Sequence, residues 1–244
     1  MRTGREQGVE GTELIVALDL PRADRAWGVV ESLQGLPVLY KVGFELFLSE
    51  GPSFVRELVH RRNRVFLDLK FHDIPNTVLK AARQAAALQV EMFTLHLAGG
   101  ASMLRAVREE LDQLPELRPR ILGVSVLTSF DDVRWAEVTR AMTGHAVEVS
   151  SSVEGLVSEA GSWGADGVVC SAVELPAVKR VNPSLYTVIP GIRPAGVEAG
   201  DQARIMTPEQ ARQAGASAIV VGRPILEAAS PRAMAESILR DLAR

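Results

Sequence analysis

Residues 66–78 read FLDLKFHDIPNTV and place two acids and a lysine within six positions. If the first half of this stretch is a strand, Asp68 and Lys70 share one face and their apolar neighbours share the other, because side chains alternate. A strand of a parallel sheet is covered on both faces, and a buried charge is costly unless it is paired. The pattern therefore predicts that Asp68 and Lys70 lie inside as a functional acid–base pair, with Asp73 just beyond the strand. A structural ion pair is the alternative interpretation.

Short apolar runs separated by helical segments are the elements that must position these residues. The predicted strands cover residues 14–20, 38–43, 64–70, 92–97, 121–127, 167–171, 186–190 and 218–221. The predicted helices cover residues 22–33, 53–62, 75–88, 102–114, 149–162, 173–180, 208–214 and 224–242, with an extra helix within residues 129–143. This alternation implies right-handed βαβ units and a parallel sheet.

The number of these repeats sets the expected architecture. Eight repeats in 244 residues predict an α/β protein with the (β/α)8 TIM barrel fold. We expect a single domain over residues 1–244, in which residues 1–11 form a flexible N-terminal extension. An open, doubly wound sheet is the alternative that the pattern leaves open.

Composition excludes several classes of protein. The chain carries 27 basic and 30 acidic residues without a basic block, so we expect no nucleic-acid partner. No stretch reaches the roughly 18 apolar residues of a membrane span, and the polar first ten residues lack a signal core. Cys170 is the single cysteine, which excludes an intramolecular disulfide, and we expect it to be a packed core residue. These features predict a soluble protein of a reducing compartment, the cytoplasm.

Polar residues close almost every predicted strand, which is where the active site of such a barrel is built. In chain order they are Asp19, Lys41, Asp68 with Lys70, His96, Ser125 with Thr128, Arg193 and Arg223. Some of them have ordinary structural interpretations. We expect His96 to be a hydrogen-bonded core histidine rather than a catalyst, and Asp19 and Thr128 are each placed where they could cap a helix.

The last two strand ends predict a phosphate site. Loops after strands seven and eight are the recurring phosphate site of these barrels, and Gly222 and Arg223 offer a backbone N–H and a guanidinium there. Arg193 lies in a loop rich in glycine and proline and is expected to reach the same group as the loop closes over it. Gln202 is expected to hold the closed loop to the ligand. Solvated surface arginines are the alternative interpretation.

Taken together, these segments resemble the orotidine 5′-phosphate decarboxylase family. The segments are Asp68-Leu-Lys70-Phe-His-Asp73-Ile-Pro-Asn-Thr77, Tyr40-Lys41-Val42-Gly43, Leu127-Thr128-Ser129, Pro190-Gly191-Ile192-Arg193-Pro194, Asp201-Gln202-Ala-Arg204 and Val221-Gly222-Arg223-Pro224-Ile225. They occur in the family's order and span residues 19–225. The first segment is highly specific, whereas the glycine and arginine segments fit several phosphate-binding barrels. Two departures are minor: Ala203 stands where a lysine is common, and Ser125 where a threonine is frequent.

The resemblance implies an activity and a role for each of the residues that carry it. It implies a homodimer without metal or organic cofactor that converts orotidine monophosphate to uridine monophosphate and carbon dioxide in pyrimidine biosynthesis. It also implies that Asp19 and Lys41 contact the ribose, that Thr128 lies near the pyrimidine, that Arg193, Gln202, Gly222 and Arg223 serve the phosphate, and that Asp73 and Thr77 enter the neighbouring subunit's site.

The reaction explains why a lysine is needed between acids. Loss of carbon dioxide from carbon 6 leaves a carbanion in the plane of the pyrimidine ring, where the π system cannot delocalise it. Lys70, held protonated between Asp68 and Asp73 of the partner subunit and next to Lys41, is expected to stabilise this charge and then donate the proton.

Two other functions remain open on the sequence. A sister family of sugar-phosphate decarboxylases and hexulose-phosphate synthases shares the barrel and an Asp-x-Lys-x-x-Asp run, but depends on magnesium and has a glutamate near the end of strand two, where this chain has Lys41. A non-catalytic sensor of phosphorylated ligands is the second alternative, although a sensor has no need of Lys70.

Overall fold

Eight parallel strands close into a barrel in chain order in the computed structural model, which describes residues 11–116, 118–194 and 206–243. The strands are β1 (Glu13–Ala17), β2 (Val38–Val42), β3 (Arg64–Phe71), β4 (Met92–His96), β5 (Arg120–Val124), β6 (Gly167–Val169), β7 (Tyr186–Ile189) and β8 (Ala218–Val221). Because β8 pairs with β1, the sheet has no free edge. The prediction of a (β/α)8 barrel is confirmed, and the open sheet is excluded.

The strands are apolar throughout because both of their faces are covered. Ile15, Leu39 and Phe66 point into the barrel and fill its interior together with Met92 and Leu122. The residues that alternate with them pack outward, under the surrounding helices. The barrel is therefore a packed core with a floor, and a ligand can enter it above that floor, at the carboxyl ends of the strands.

Helices follow the strands and cover the barrel. They are α1 (Ala23–Ser32), α2 (Phe44–His60), α3 (Pro75–Ala87), α4 (Gly100–Asp112), α5 (Asp132–Thr143), α6 (Val149–Trp163), α7 (Leu175–Val181), α8 (Pro208–Gln213), α9 (Arg223–Leu226) and α10 (Pro231–Ala243). The extra helix predicted after strand five is α5. None of the helices in the described ranges is long and apolar enough to cross a membrane.

Two helices differ from their predicted bounds by more than a few residues. The prediction began α2 at residue 53, whereas the helix begins at Phe44 and is kinked at Gly51, whose φ of +68° interrupts it before Pro52. The predicted helix over residues 224–242 is two helices, α9 and α10, because residues that precede a proline disfavour the helical conformation and Pro231 begins α10. The predicted extension over residues 1–11 lies outside the described residues except for Gly11.

Four charged side chains and one tyrosine close the amino-terminal end of the barrel. We call them the basal ionic cluster: Glu13, Arg64, Glu91, Arg120 and Tyr186. Arg64 lies between the two acids, 2.7 Å from Glu13 Oε1 and with its Nε 2.7 Å from Glu91 Oε2. The Tyr186 hydroxyl donates to Glu13 Oε2, and the Arg120 guanidinium stacks 4.6 Å from the centre of the Tyr186 ring. The hydrogen bond to Glu91 raises the pKa of Arg64, and burial raises that of Tyr186, so neither group changes charge near neutral pH.

Candidate active site

A cavity of about 310 Å³ opens at the carboxyl ends of the strands. Its floor is apolar and includes Ala17, Phe66 and Val188. Its charged lining consists of Asp19, Lys41, Asp68, Lys70, Arg193 and Arg223. Thr128, Gly191 and Gly222 also line it. The structure therefore brings most of the candidate residues from the sequence around one space.

Four charged side chains of alternating sign form what we call the apical ionic chain: Asp19, Lys41, Asp68 and Lys70. Lys41 Nζ lies 2.9 Å from Asp19 Oδ1 and 3.6 Å from Asp68 Oδ2. Lys70 Nζ lies 2.9 Å from Asp68 Oδ1. Lys41 and Asp68 are buried, whereas the Lys70 side chain is 29% exposed and faces the cavity. The prediction that Asp68 and Lys70 point inward as a pair agrees with this arrangement.

Asp68 is held as a carboxylate by its neighbours. Burial favours the neutral acid, but the positive charges of Lys41 and Lys70 oppose it, and hydrogen bonds from Lys70 and Thr94 add to their effect. The balance sets the pKa of Asp68 below its ordinary value. Asp68 is therefore charged at neutral pH and forms an acceptor for the ammonium of Lys70.

Gly43 leaves space for the ion pair between Lys41 and Asp19. A Cβ atom on Gly43 would lie 3.1 Å from Lys41 Nζ and 3.3 Å from Asp19 Oδ1, which is closer than most side-chain carbons approach such groups. A glycine directly after β2 therefore lets the ammonium of Lys41 turn toward Asp19. This explains physically why the Lys41 segment ends in glycine.

Thr94, on β4, is a site residue that the sequence analysis missed. It is fully buried, its hydroxyl donates to Asp68 Oδ1 at 2.9 Å, and it accepts the backbone N–H of Lys70 at 2.9 Å. A signal for it exists in the sequence, because Thr94 lies two residues after Met92 and so shares with it the face that fills the barrel interior. A hydroxyl on that face, near the strand's carboxyl end, points toward the site.

His96 lies beside the site and not in the core. It is half-buried, and its ring stacks on that of the exposed His72, with 5.2 Å between ring centres. Burial lowers the pKa of His96, and the positive fields of His72 and Lys70 lower it further. The expectation of a core histidine is therefore wrong in its placement, because His96 is the last residue of β4 and emerges at the mouth.

The glycine-rich end of the cavity holds the two arginines. Arg193 is buried, and its Nη1 donates to the Ile192 carbonyl at 3.1 Å, which excludes the interpretation of a solvated surface arginine. Its backbone N–H donates to the Met206 carbonyl at 3.0 Å. Gly191, just before it, has a φ of +79°, which a glycine adopts without strain. Arg223 is exposed and follows Gly222 at the start of α9.

Two candidates, Asp73 and Thr77, are not among the residues that line the cavity of the single chain. Asp73 and Thr77 are exposed at the start of α3, and Asp73 Oδ1 accepts the backbone N–H of Ile74 at 2.6 Å. Gln202 lies outside the described residues, as does most of the loop that the sequence analysis expected to act as a lid. Within the described ranges, no group of three or more His, Cys, Asp or Glu side chains is arranged to hold a metal ion.

Comparison with known proteins gives a consistent result over nearly the whole chain. The sequence model described as "Orotidine 5'-phosphate decarboxylase / HUMPS family" matches residues 12–238. An orotidine 5′-phosphate decarboxylase of Legionella pneumophila (strain Corby) is 45% identical, over 94% of this chain and 99% of its own. One of Pseudomonas syringae is 44% identical, over 95% and 98%. The crystal structure of the Lactobacillus acidophilus orotidine 5′-phosphate decarboxylase superimposes with a TM-score of 0.81 at 34% identity, over 94% of this chain and 98% of that one.

Proposed function

Because the chain belongs to the orotidine 5′-phosphate decarboxylase / HUMPS family, we propose that it converts orotidine 5′-monophosphate to uridine 5′-monophosphate and carbon dioxide. The reaction is that of a carboxy-lyase, which breaks a carbon–carbon bond, and its product is the uridine nucleotide of pyrimidine synthesis. The residue roles, the mechanism and the dimer that follow are part of this proposal.

The observation that carries the proposal is the apical ionic chain. Lys70 Nζ is held 2.9 Å from a carboxylate whose pKa is lowered, and the Lys70 side chain lines a cavity of about 310 Å³. An ammonium positioned in this way is a preorganised partner for negative charge that develops in a transition state. A structural ion pair would not need to face an open cavity at the carboxyl ends of the strands.

Lys70 acts in two steps at carbon 6 of the pyrimidine. The bond from carbon 6 to the carboxylate breaks, carbon dioxide leaves, and the bonding electron pair stays on carbon 6. The Lys70 ammonium stabilises this pair and then transfers one proton to carbon 6, which leaves a neutral amine that regains a proton from water. Such slow reactions require stabilisation on the order of 20 kcal/mol, so binding of the ribose and phosphate must contribute as well.

The rest of the nucleotide extends from Lys70 toward the two arginines. We propose that Asp19 and Lys41 bind the ribose hydroxyls, since they line the wall next to the Lys70 ammonium. Thr128, at the rim after β5, contacts the pyrimidine. Gly222 and Arg223 bind the phosphate at the glycine-rich end together with Arg193, and Gln202 completes this phosphate site by family resemblance.

We propose a homodimer in which Asp73 and Thr77 complete the neighbouring site. Both residues are exposed in the single chain, and Asp73 lies two residues after the end of β3, the strand that carries Lys70. Large apolar side chains lie exposed on the same side: Ile74 is 66% exposed and Phe44 51%. Phe44 packs beside the site, with its ring centre 5.6 Å from Lys70 Nζ. A second copy that covers this surface would bring its carboxylates to the open side of Lys70.

The proposed reaction needs neither a metal nor an organic cofactor, because the lysine supplies both charge and proton. The magnesium-dependent sister enzymes belong to the same family description, so the family alone does not distinguish them. Lys41 does, since an ammonium next to Asp68 stands where those enzymes have a glutamate near the end of strand two. The buried single cysteine, Cys170, supports a reducing compartment, and we propose the cytoplasm.

An absorbance assay with orotidine 5′-monophosphate tests the proposal. We expect the ultraviolet absorbance of the substrate to fall, with uridine 5′-monophosphate and carbon dioxide formed in equal amounts, and we expect a chelator to have no effect. Loss of activity with the chelator and its return with Mg²⁺ would support the sister reaction instead. Tight binding of the nucleotide without any turnover would support the sensor.

A further inference from the structure

The third strand is irregular at the end that carries the lysine of the site. Between Leu67 and Phe71 the register against β4 shifts, so that residues 68–70 lie opposite the single residue Thr94. Bulges of this kind re-aim side chains and are frequent next to active sites. Lys70 ends the bulge with a φ of +45°, in the left-handed region that residues other than glycine rarely adopt.

Thr94 makes the two hydrogen bonds that hold this bulge in place. Its Oγ1 accepts the backbone N–H of Lys70 at 2.9 Å, which replaces a bond that a regular ladder would give to a carbonyl. Its hydroxyl proton is donated to Asp68 Oδ1, also at 2.9 Å. One fully buried hydroxyl therefore touches the backbone of Lys70 and the carboxylate of Asp68 at the same time.

The same carboxylate oxygen receives the ammonium of Lys70. Asp68 Oδ1 accepts from Lys70 Nζ at 2.9 Å as well as from Thr94. The other oxygen, Oδ2, faces Lys41 Nζ at 3.6 Å. The rotation of the carboxylate is thereby set by Thr94 on one side and by two ammonium groups on the other.

We propose that Thr94 is a positioning residue of the decarboxylase, which orients Lys70 from both ends through the Lys70 backbone N–H and the Asp68 carboxylate. This inference rests on the proposed function, because it assigns Thr94 to the reaction of that site. Thr94 does not touch the substrate in this account. Thr94 acts by fixing the position of the Lys70 ammonium before the carbanion forms. This affects the rate because a small displacement of a reacting group can lower kcat strongly.

If Thr94 were purely structural, its loss would affect stability but not kcat. The chain has a buried threonine away from the site that serves as the control. Thr187 on β7 is also fully buried, and its Oγ1 accepts the backbone N–H of Ser217 at 3.0 Å. It does not line the cavity. Thr187→Val therefore removes a hydroxyl of the same kind, with a similar effect on folding, without touching the apical ionic chain.

The test compares Thr94→Val, Thr94→Ser and Thr187→Val by steady-state kinetics and thermal unfolding. For Thr94→Val we expect kcat to fall about 10- to 100-fold, as for the loss of a hydrogen bond to a charged group, with KM nearly unchanged. Thr94→Ser keeps the hydroxyl and is expected to restore most of kcat. Thr187→Val is expected to unfold at a lower temperature with the kcat of the parent protein.

Several results would overturn the proposal. They are an unchanged kcat in Thr94→Val, an equal loss in Thr94→Ser, or an equal loss in Thr187→Val. A rise in KM alone would also overturn it, because a positioning role acts on the reacting lysine. If Thr94→Val does not fold, Thr94→Ser is the remaining test. A Thr94→Ser protein of normal stability that loses kcat would then overturn the proposal.

A readout without turnover separates this inference from the proposed function. Crystals of Thr94→Val are expected to show Lys70 at a negative φ and its Nζ moved from Asp68 Oδ1, and Thr94→Ser is expected to keep both. If the parent protein does not decarboxylate orotidine monophosphate, the proposed function fails, whereas an unaltered Lys70 in Thr94→Val contradicts the role of Thr94 alone.

Discussion

The two ends of the barrel carry similar sets of charges in different chemical forms. The apical ionic chain uses lysines, Lys41 and Lys70, and faces a cavity. The basal ionic cluster uses arginines: Arg64 lies between Glu13 and Glu91, and Arg120 stacks on the ring of Tyr186. Both sets alternate acids and bases at one end of the barrel, so sequence composition alone does not distinguish them.

The difference teaches how the two kinds of base are used. An arginine offers a rigid fork of donors that always remains charged, which suits a permanent link between two acids. A lysine offers a single compact charge that can give up a proton, which suits chemistry at an open cavity. The end closed by Arg64 stabilises the fold, whereas in our proposal the end occupied by Lys70 carries the reaction.

Replacing Lys70 at the apical end should cause the largest effect. Lys70→Ala is expected to lower kcat by about 10⁴-fold or more, because both charge stabilisation and the proton donor are lost. Lys70→Arg keeps a charge beside Asp68 but cannot release a proton, so we expect it to be nearly as inactive. Calorimetric titration with uridine monophosphate should show that both variants still bind nucleotide. Appreciable turnover by either variant would remove Lys70 from its role as proton donor.

Breaking the basal ionic cluster should act on stability and not on rate. Arg64→Ala leaves Glu13, whose side chain is 5% exposed, without its nearest cation. We expect the free energy of unfolding to fall by about 3 kcal/mol. This is the lower end of the cost of breaking a buried ion pair, because the Arg64 side chain is partly exposed. Urea unfolding measures this change, and Arg64→Lys is expected to recover part of it. A fall in kcat of the folded Arg64→Ala protein would contradict the division of roles between the two ends.

The phosphate end provides a test of binding within the apical region. Arg223→Ala is expected to reduce kcat/KM for orotidine monophosphate by about 10- to 100-fold, the cost of one charge-assisted hydrogen bond. Turnover of the unphosphorylated nucleoside should be unaffected, since the nucleoside has no group for Arg223 to hold. Arg180→Ala is the matched control. Arg180 lies on α7, is exposed and pairs with Glu154, so its loss removes an arginine without touching the cavity. An unaltered kcat/KM in Arg223→Ala would contradict the phosphate assignment.

Acid should destabilise the folded protein by protonating Asp68. The pKa of Asp68 is lowered in the folded protein, so its charge contributes stability above the unfolded value of about 3.9, and this contribution is lost as pH falls through the folded value. Below about pH 4, the free energy of unfolding of the parent protein should therefore fall more steeply with decreasing pH than that of Asp68→Asn. Urea unfolding at several pH values measures both slopes. Equal slopes would show that Asp68 is not held as a carboxylate by its neighbours.

Much of the fold was predictable because apolar periodicity reports local burial. The eight strands were found within a few residues of their bounds. Errors fell where a local rule overrode the pattern, at Gly51 in α2 and before Pro231. In the site, the alternation of side chains correctly predicts that Asp68 and Lys70 share a face. The bulge that gives Lys70 a positive φ cannot be detected in the pattern of polar and apolar residues.

Residues that depend on a distant partner were not predictable in this way. Thr94 looks like an ordinary strand threonine until β4 is placed beside the bulge of β3. The sequence predicts Arg193 as a phosphate-site residue, but its burial and its hydrogen bond to the Ile192 carbonyl are visible only in the structure. The sequence does not predict the basal ionic cluster, because Glu13 and Arg120 are far apart in the chain and meet only when the barrel closes.

The amino-acid sequence by itself determined the repeating strands and helices, the inward face of Asp68 and Lys70, and the family to which the chain belongs, since each is set by short-range order along the chain. The tertiary structure decided which charges meet, which hydroxyl holds the lysine, and which end of the barrel is closed. The physical reason is that hydrogen bonds and ion pairs act over about 3 Å, so their partners are chosen by the register and closure of the sheet.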